Sequence, residues 1–165
     1  MKLSVILSTV PTKHPLRVIR TMSDDVLDQM SADLKTVMKN GGFPSTSPPK
    51  IYLRAMLIGA IYSIKTERQL LDHINFNLLF RWFVGLPVES DIWTEEDFAD
   101  RRAALIESGV ADLFFSRTLS QPRISRILGS EHFLLDEDTI SACLSGFIPL
   151  NGNTEGFAAL LGQAS

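Results

Sequence analysis

Three groups of side chains in this chain are of types and spacings that could do chemistry. The first is the run Asp136-Glu137-Asp138. Hard divalent cations prefer carboxylate oxygens, so the run invites a metal-site reading. Two-metal phosphoryl transfer, however, needs carboxylates that converge from separate elements around ions about 4 Å apart, and one contiguous run rarely converges that way. An exposed acidic run is the competing reading. The second group is Arg68-Gln69 at the start of a short helical pattern. Arginine suits a guanine edge and glutamine an adenine edge when the first turn of a helix enters a major groove. The third is Arg81-Trp82-Phe83, a cation between aromatics, a pattern found where bases stack on side chains. Phe76, Leu78, Leu79, Phe80, Trp82, Phe83 and Leu86 are so dense there that burial as one core cluster is the stronger expectation.

Other reactive types form no pattern. His14, His73 and His132 share no ligand spacing with Cys143, which disfavours zinc. Cys143 has no neighbouring base in sequence to activate it. No nucleophile elbow accompanies the serines, and Gly41-Gly42 lacks the strand and lysine context of a phosphate loop.

The elements that must position these groups read as helices. Val26, Leu27, Met30, Leu34, Val37 and Met38 form one apolar stripe and predict a helix over 24–39. Ser23 is its expected cap, Asp24 and Asp25 suit its dipole, and Asn40-Gly41-Gly42 ends it. The segment from Gly41 to Pro49 reads as a linker. A second helix, from about Pro48 to Ile64 with Ser47 as its cap, is apolar nearly all round and is expected to be central and buried. Lys65-Thr66 then makes a turn, and Thr66 caps a helix from Glu67 to about Ile74. These two helices have the lengths of a helix-turn-helix pair, and a plain helical hairpin fits them as well. Asn77 caps a further helix that Gly85 and Pro87 end. Thr94 caps a helix over Glu95–Glu107 whose first turn is acidic. Val110 to Ser120 forms the next, and Pro122 is expected to stop it. Phe133-Leu134-Leu135 could be a strand or part of a helix.

The chain has 165 residues, 45% hydrophobic and 21% charged, which suits one globular domain with a short appendix. A single cysteine excludes an internal disulfide framework and fits a reducing cytoplasm. The opening Met1-Lys2-Leu3-Ser4-Val5-Ile6-Leu7 is faintly signal-like, but Ser8, Thr9 and Pro11 cut its apolar run short. No stretch approaches the roughly 20 apolar residues of a membrane span. The net charge of −3 hides an asymmetry: residues 1–85 hold 11 Lys and Arg against 6 Asp and Glu, and residues 86–165 hold 5 against 13. A phosphate-rich partner is therefore expected to meet the first half.

Several blocks carry a family resemblance. Tyr62-Ser63-Ile64-Lys65-Thr66-Glu67-Arg68-Gln69-Leu70-Leu71 runs on into Asn75-Phe76-Asn77-Leu78-Leu79-Phe80-Arg81-Trp82-Phe83-Val84-Gly85-Leu86. Ahead of it the matching blocks begin with Val10-Pro11-Thr12-Lys13-His14-Pro15-Leu16-Arg17 and continue through Pro48-Pro49-Lys50 and Leu53-Arg54-Ala55. Trp93, Phe98, Arg102 and Leu105 follow at a W-x-x-x-x-F-x-x-x-R-x-x-L spacing, and Glu131-His132-Phe133-Leu134-Leu135-Asp136 comes last. Together these blocks, from about Val10 to Ser145, resemble the N-terminal domain of insertion-sequence DDE transposases of the InsH-like group. The aromatic-rich central block is the specific part.

The resemblance implies DNA binding at terminal inverted repeats, or assembly of a transposition complex, with Mg²⁺-dependent strand transfer in intact relatives. Asp136 matches the first catalytic Asp, and the second Asp and the Glu have no matching blocks. After Asp136 the family places Gly-Thr, whereas this chain has Glu137-Asp138, and adjacent carboxylates raise the cost of ionising all of them. The family also often has Lys-Asn where this chain has Asp100-Arg101.

The expectation is therefore an all-α compact domain of roughly six helices with a helix-turn-helix-like pair. Residues 1–12 form a leader, 13–128 the helical domain, and 129–165 a remnant of the start of a catalytic domain with a poorly organised tail. The chain reads as truncated, non-enzymatic and cytoplasmic, without a cofactor. Lys50, Arg54, Lys65, Arg68, Gln69, Arg81 and Arg102 are the expected DNA contacts, with Lys50, Arg54, Lys65 and Arg81 meeting phosphates and Arg68 and Gln69 meeting base edges. An alternative is an interaction module that joins full-length transposase or a second copy through the helix 94–107 and the aromatic cluster. A decayed gene product is the other.

Overall fold

A computed structural model describes residues 10, 14–44, 47–64 and 66–128. Eight helices and no strand make up the regular structure of these residues: α1 (Pro15–Gln29), α2 (Ser31–Asn40), α3 (Pro49–Ile61), α4 (Glu67–Phe76), α5 (Leu78–Val84), α6 (Glu95–Glu107), α7 (Val110–Leu119) and α8 (Pro122–Leu128). Among the described residues no helix is long and apolar enough to cross a membrane. Residues 129–165, most of the 1–12 leader, Lys65 and Asp136 lie outside the described residues.

Helix α3 is the centre of the fold. Every residue of it except Lys50 is buried, as an all-round apolar helix requires. Its contacts reach α2, α4, α5, α6 and α7. Tyr52 on α3 stacks against Trp93 at 4.3 Å and lies 6.1 Å from Phe98, and it meets Phe43 edge-on at 5.4 Å. This aromatic cluster fastens the chain before α3 and the loop before α6 to the same helix. The Trp93 indole N–H donates to Ser47 Oγ at 3.3 Å, so Ser47 ties down a loop and is not the cap of α3. Residue 48 holds that position without a side-chain bond.

Several element boundaries differ from the sequence expectation. The helix expected over 24–39 is two helices that break at Met30, where φ is −94° and ψ is 14°. Helix α1 starts well before Ser23: Pro15 occupies its first turn and His14 Nδ1 accepts the Leu16 amide at 3.1 Å. Ser23 is fully buried inside α1, and its hydroxyl donates back to the Arg20 carbonyl at 2.9 Å. Pro122 likewise begins α8 after ending α7, as the first turn of a helix permits. The break at Met30 and the added helix α8 turn six expected helices into eight.

The caps of α4, α5 and α6 follow the sequence. Thr66 Oγ1 accepts the Gln69 amide at 3.1 Å, Asn77 Oδ1 the Leu79 amide at 2.9 Å, and Thr94 Oγ1 the Asp97 amide at 3.1 Å. The turn between α3 and α4 closes in a Schellman arrangement. The Ile64 amide donates to the Gly59 carbonyl at 2.9 Å and the Ser63 amide to the Ala60 carbonyl at 3.1 Å. Ser63 takes the left-handed position with φ 53°, where glycine is usual. A side chain there costs about 1–2 kcal/mol. Ser63→Gly is therefore expected to raise stability by about 1 kcal/mol, less whatever glycine's freedom returns to the unfolded chain. Urea unfolding of the two proteins would measure this, and an unchanged or lower midpoint would refute it.

Candidate nucleic-acid interface

Helices α3 and α4, with the short turn between them, form the pair anticipated from the sequence. The inner face of α4 is Glu67, Leu70, Leu71 and Ile74, all buried and spaced for one helical stripe. Its outer face is Arg68, Gln69, Asp72, His73, Asn75 and Phe76, all exposed. Arg68 and Gln69 therefore stand side by side in the first turn, facing water, with the helix held from behind. Lys50 is exposed in the first turn of α3. These three of the expected contacts are accessible to a partner.

Arg54, Arg81 and Arg102 are not accessible, and the expectation for them is corrected. Each is buried, and its guanidinium is engaged inside the fold. Arg81 is 4% exposed. Its Nη1 donates to the carbonyls of Pro87, Val88 and Ser90 at 2.7, 3.2 and 2.9 Å. Its Nε and Nη2 reach the Asn75 carbonyl at 3.3 Å and Asn75 Oδ1 at 3.1 Å. One side chain thus pins the loop after α5 to the end of α4.

Arg54 donates through Nη2 and Nε to Asp24 Oδ1 at 2.8 and 3.0 Å, and through Nη1 to the Val84 carbonyl at 3.5 Å. Arg20 on α1 joins it. Arg20 Nη1 donates to the Trp82 carbonyl at 2.8 Å, and its Nε faces Asp24 at 3.3 Å. Two guanidiniums from α1 and α3 therefore satisfy the last carbonyls of α5, where the helix dipole is negative. Asp24 balances part of their charge. Burial, with Arg54 alongside, pushes Arg20 below its ordinary value, and Asp24 pulls back. The turn beyond α5 needs Gly85, whose φ is +93° and where a Cβ would come 3.0 Å from Arg54 Nη1. Arg17 and Arg20 both lie over the Trp82 ring, at 5.6 and 5.7 Å from its centre.

Arg102 on α6 pairs with Glu67 at the start of α4, Nη2 to Oε1 at 2.9 Å, with side chains 8% and 9% exposed. Burial pushes the Glu67 carboxyl up and the Arg102 guanidinium down, and each partly offsets the shift of the other. The block holding Glu67 and the block holding Arg102 are thus joined in space by one ion pair.

The aromatic block divides. Phe80, Trp82 and Phe83 are core, as expected, but Phe76 is 81% exposed and Leu78 44%. The junction of α4 and α5 turns these two outward. Sequence reading also passed over Lys35, Lys39, Arg117, Arg123 and Arg126, which are all exposed. Only their positions on outward helix faces distinguish them from the buried arginines.

Asp136 lies outside the described residues. Among those that are described, no group of three His, Cys, Asp or Glu side chains converges to hold a metal ion. A family model described as a transposase domain (DUF772) matches residues 4–104. No curated protein and no solved structure matches the chain.

Proposed function

The chain belongs to the family of the transposase domain (DUF772), and from that premise we propose that its helical domain binds the DNA ends of a mobile element. The finer kinship we propose is with InsH-like insertion-sequence transposases, on the sequence blocks described above. The first turn of α4 meets base edges in a major groove, Arg68 on guanine and Gln69 on adenine. Lys50 contributes a phosphate contact that positions without specifying sequence. The observation that carries this reading is the outward pairing of Arg68 and Gln69 on a helix whose opposite face is wholly buried. We propose further that these 165 residues do not themselves cleave DNA, since only Asp136 has a counterpart among the family's three carboxylates.

Fluorescence anisotropy of a labelled terminal repeat against scrambled DNA, across a salt series, tests the reading. Binding should prefer the repeat and weaken with salt as counterions are released. Arg68→Ala should weaken repeat binding about tenfold, the loss of one good base contact, and should flatten the preference. Absence of binding to either DNA at low salt would overturn the proposal. Reproducible cleavage of the repeat with Mg²⁺ or Mn²⁺ would overturn its non-catalytic part.

A second reading has its own support. Phe76 and Leu78 project from the junction of α4 and α5, and exposed apolar side chains of this size suit a protein contact. Such a contact, with full-length transposase or a second copy, would be insensitive to salt.

A further inference from the structure

We propose that Arg102 is a positioning residue for the reading turn of α4, holding Arg68 and Gln69 in register through Glu67 without touching DNA itself. The inference rests on the DNA-reading proposal, and it concerns a residue that sequence alone places among the DNA contacts.

The argument is geometric. Glu67 is the first residue of α4 and immediately precedes the reading pair. Its carboxylate is buried and meets Arg102 Nη2 at 2.9 Å. Arg102 projects from α6, whose own start is fixed by the Thr94 cap and whose Phe98 is fully buried against Tyr52 and Trp93. The link therefore runs from a helix rooted in the core to the first turn of the reading helix. On the other side of that turn, Thr66 supplies its hydroxyl to the Gln69 amide and its carbonyl to the Leu70 amide, both at 3.1 Å. A helix start is ordinarily the part that frays. Here it is clamped by a cap and by a buried ion pair from another helix. Only with both in place do the Cα positions of Arg68 and Gln69 keep a fixed relation to the body of the domain. Recognition of a base edge demands such a fixed first turn, because a small misplacement loses a bidentate bond.

The link predicts a particular split of effects. Without it, attraction to phosphates persists, since the exposed cations are unchanged. Discrimination between sequences falls, since it depends on where the reading pair sits.

The experiment compares the wild-type chain with Arg102→Met and with the double variant Glu67→Leu with Arg102→Met. The double variant removes both charges together, so folding is kept where the single variant leaves a buried carboxylate alone. The readouts are the ratio of scrambled-DNA to terminal-repeat Kd and the hydrogen exchange of the Gln69 and Leu70 amides, at a temperature where circular dichroism finds each protein folded. We expect the ratio to fall about tenfold in the double variant, the size of one base contact, with scrambled-DNA affinity unchanged. The two amides should exchange faster while those of α3 keep their protection. A double variant with wild-type discrimination, or with unchanged exchange at Gln69 and Leu70, would overturn the positioning role. A wild-type chain that does not prefer the repeat would sink the DNA-reading proposal instead, and the amide exchange would still decide whether Arg102 clamps α4.

Discussion

Arg81→Met is expected to cost the domain about 3–5 kcal/mol, a large share of the roughly 5–15 kcal/mol that keeps such a domain folded. The guanidinium serves acceptors on both sides of α5: Asn75 before it and the carbonyls of Pro87, Val88 and Ser90 after it. Bonds from a charged donor are worth about 1.5–3 kcal/mol each when counted singly, and they do not add. Methionine fills much of the volume but donates nothing, so the loop carbonyls must find water or remain unpaired. Arg81→Lys should fall nearly as far. An ammonium has three donors at one point and cannot span acceptors held by a planar fork. Urea unfolding followed by circular dichroism measures the loss. A variant of wild-type stability that binds DNA less well would reverse the assignment and return Arg81 to the surface chemistry its residue type suggests.

The second large effect is expected at Phe98. Its ring is fully buried, 5.7 Å from Trp93 and 6.1 Å from Tyr52. Phe98→Ala should cost about 3–5 kcal/mol through lost burial and the cavity left behind. In a domain of this size that lowers Tm by more than about 10 °C. The reason to choose Phe98 over an equally buried leucine is what else it holds. Trp93 stacks against both Phe98 and Tyr52, and through Ser47 it fastens the chain ahead of α3. Removing the ring should therefore loosen two connections at once. Trp93 fluorescence should shift to the red before global unfolding, as its surroundings admit water. A Tm within 2–3 °C of wild type, about 0.5 kcal/mol, would mean that the cluster repacks and that the loops are fastened elsewhere.

Much of this fold was legible in the sequence, and the exceptions share a cause. Thr94 followed by three acidic residues marks the start of α6 because a cap is a local interaction, complete within one turn. Thr66 and Asn77 are legible for the same reason. Ser23-Asp24-Asp25 has the same local form and misleads. Its serine bonds back inside α1, and Asp24 is held by Arg20 and Arg54. That pairing is tertiary, and no window of neighbours reveals it. The break at Met30 is silent because the apolar stripe continues across it. The candidate site divides along the same line. Arg68 and Gln69 lie outward, as the periodicity of α4 requires once Leu70, Leu71 and Ile74 face in. Arg54, Arg81 and Arg102 have the residue type of a phosphate contact and the environment of a structural bond. Their partners are backbone carbonyls and carboxylates contributed by other elements, which composition does not record. The dense aromatic block shows the same limit: Phe80, Trp82 and Phe83 are core, but the turn at Asn77 carries Phe76 and Leu78 outward.

The placement of these arginines has a consequence for synthesis, which delivers the chain from its N-terminus. Arg20 and Arg54 are made before the carbonyls of Trp82 and Val84 that they cap. Helix α5 can therefore be closed as soon as its last residue leaves the ribosome. Glu67 has the opposite history, because its partner belongs to α6. Until α6 has emerged, α4 packs on α3 and α5, but its first turn has only the Thr66 cap and the Glu67 carboxylate stands without its partner. A nascent chain, or a product released before α6, would thus hold its aromatic helix in place while its outward arginine and glutamine still wandered. On the DNA-reading proposal, discrimination between sequences would come only once α6 is in place.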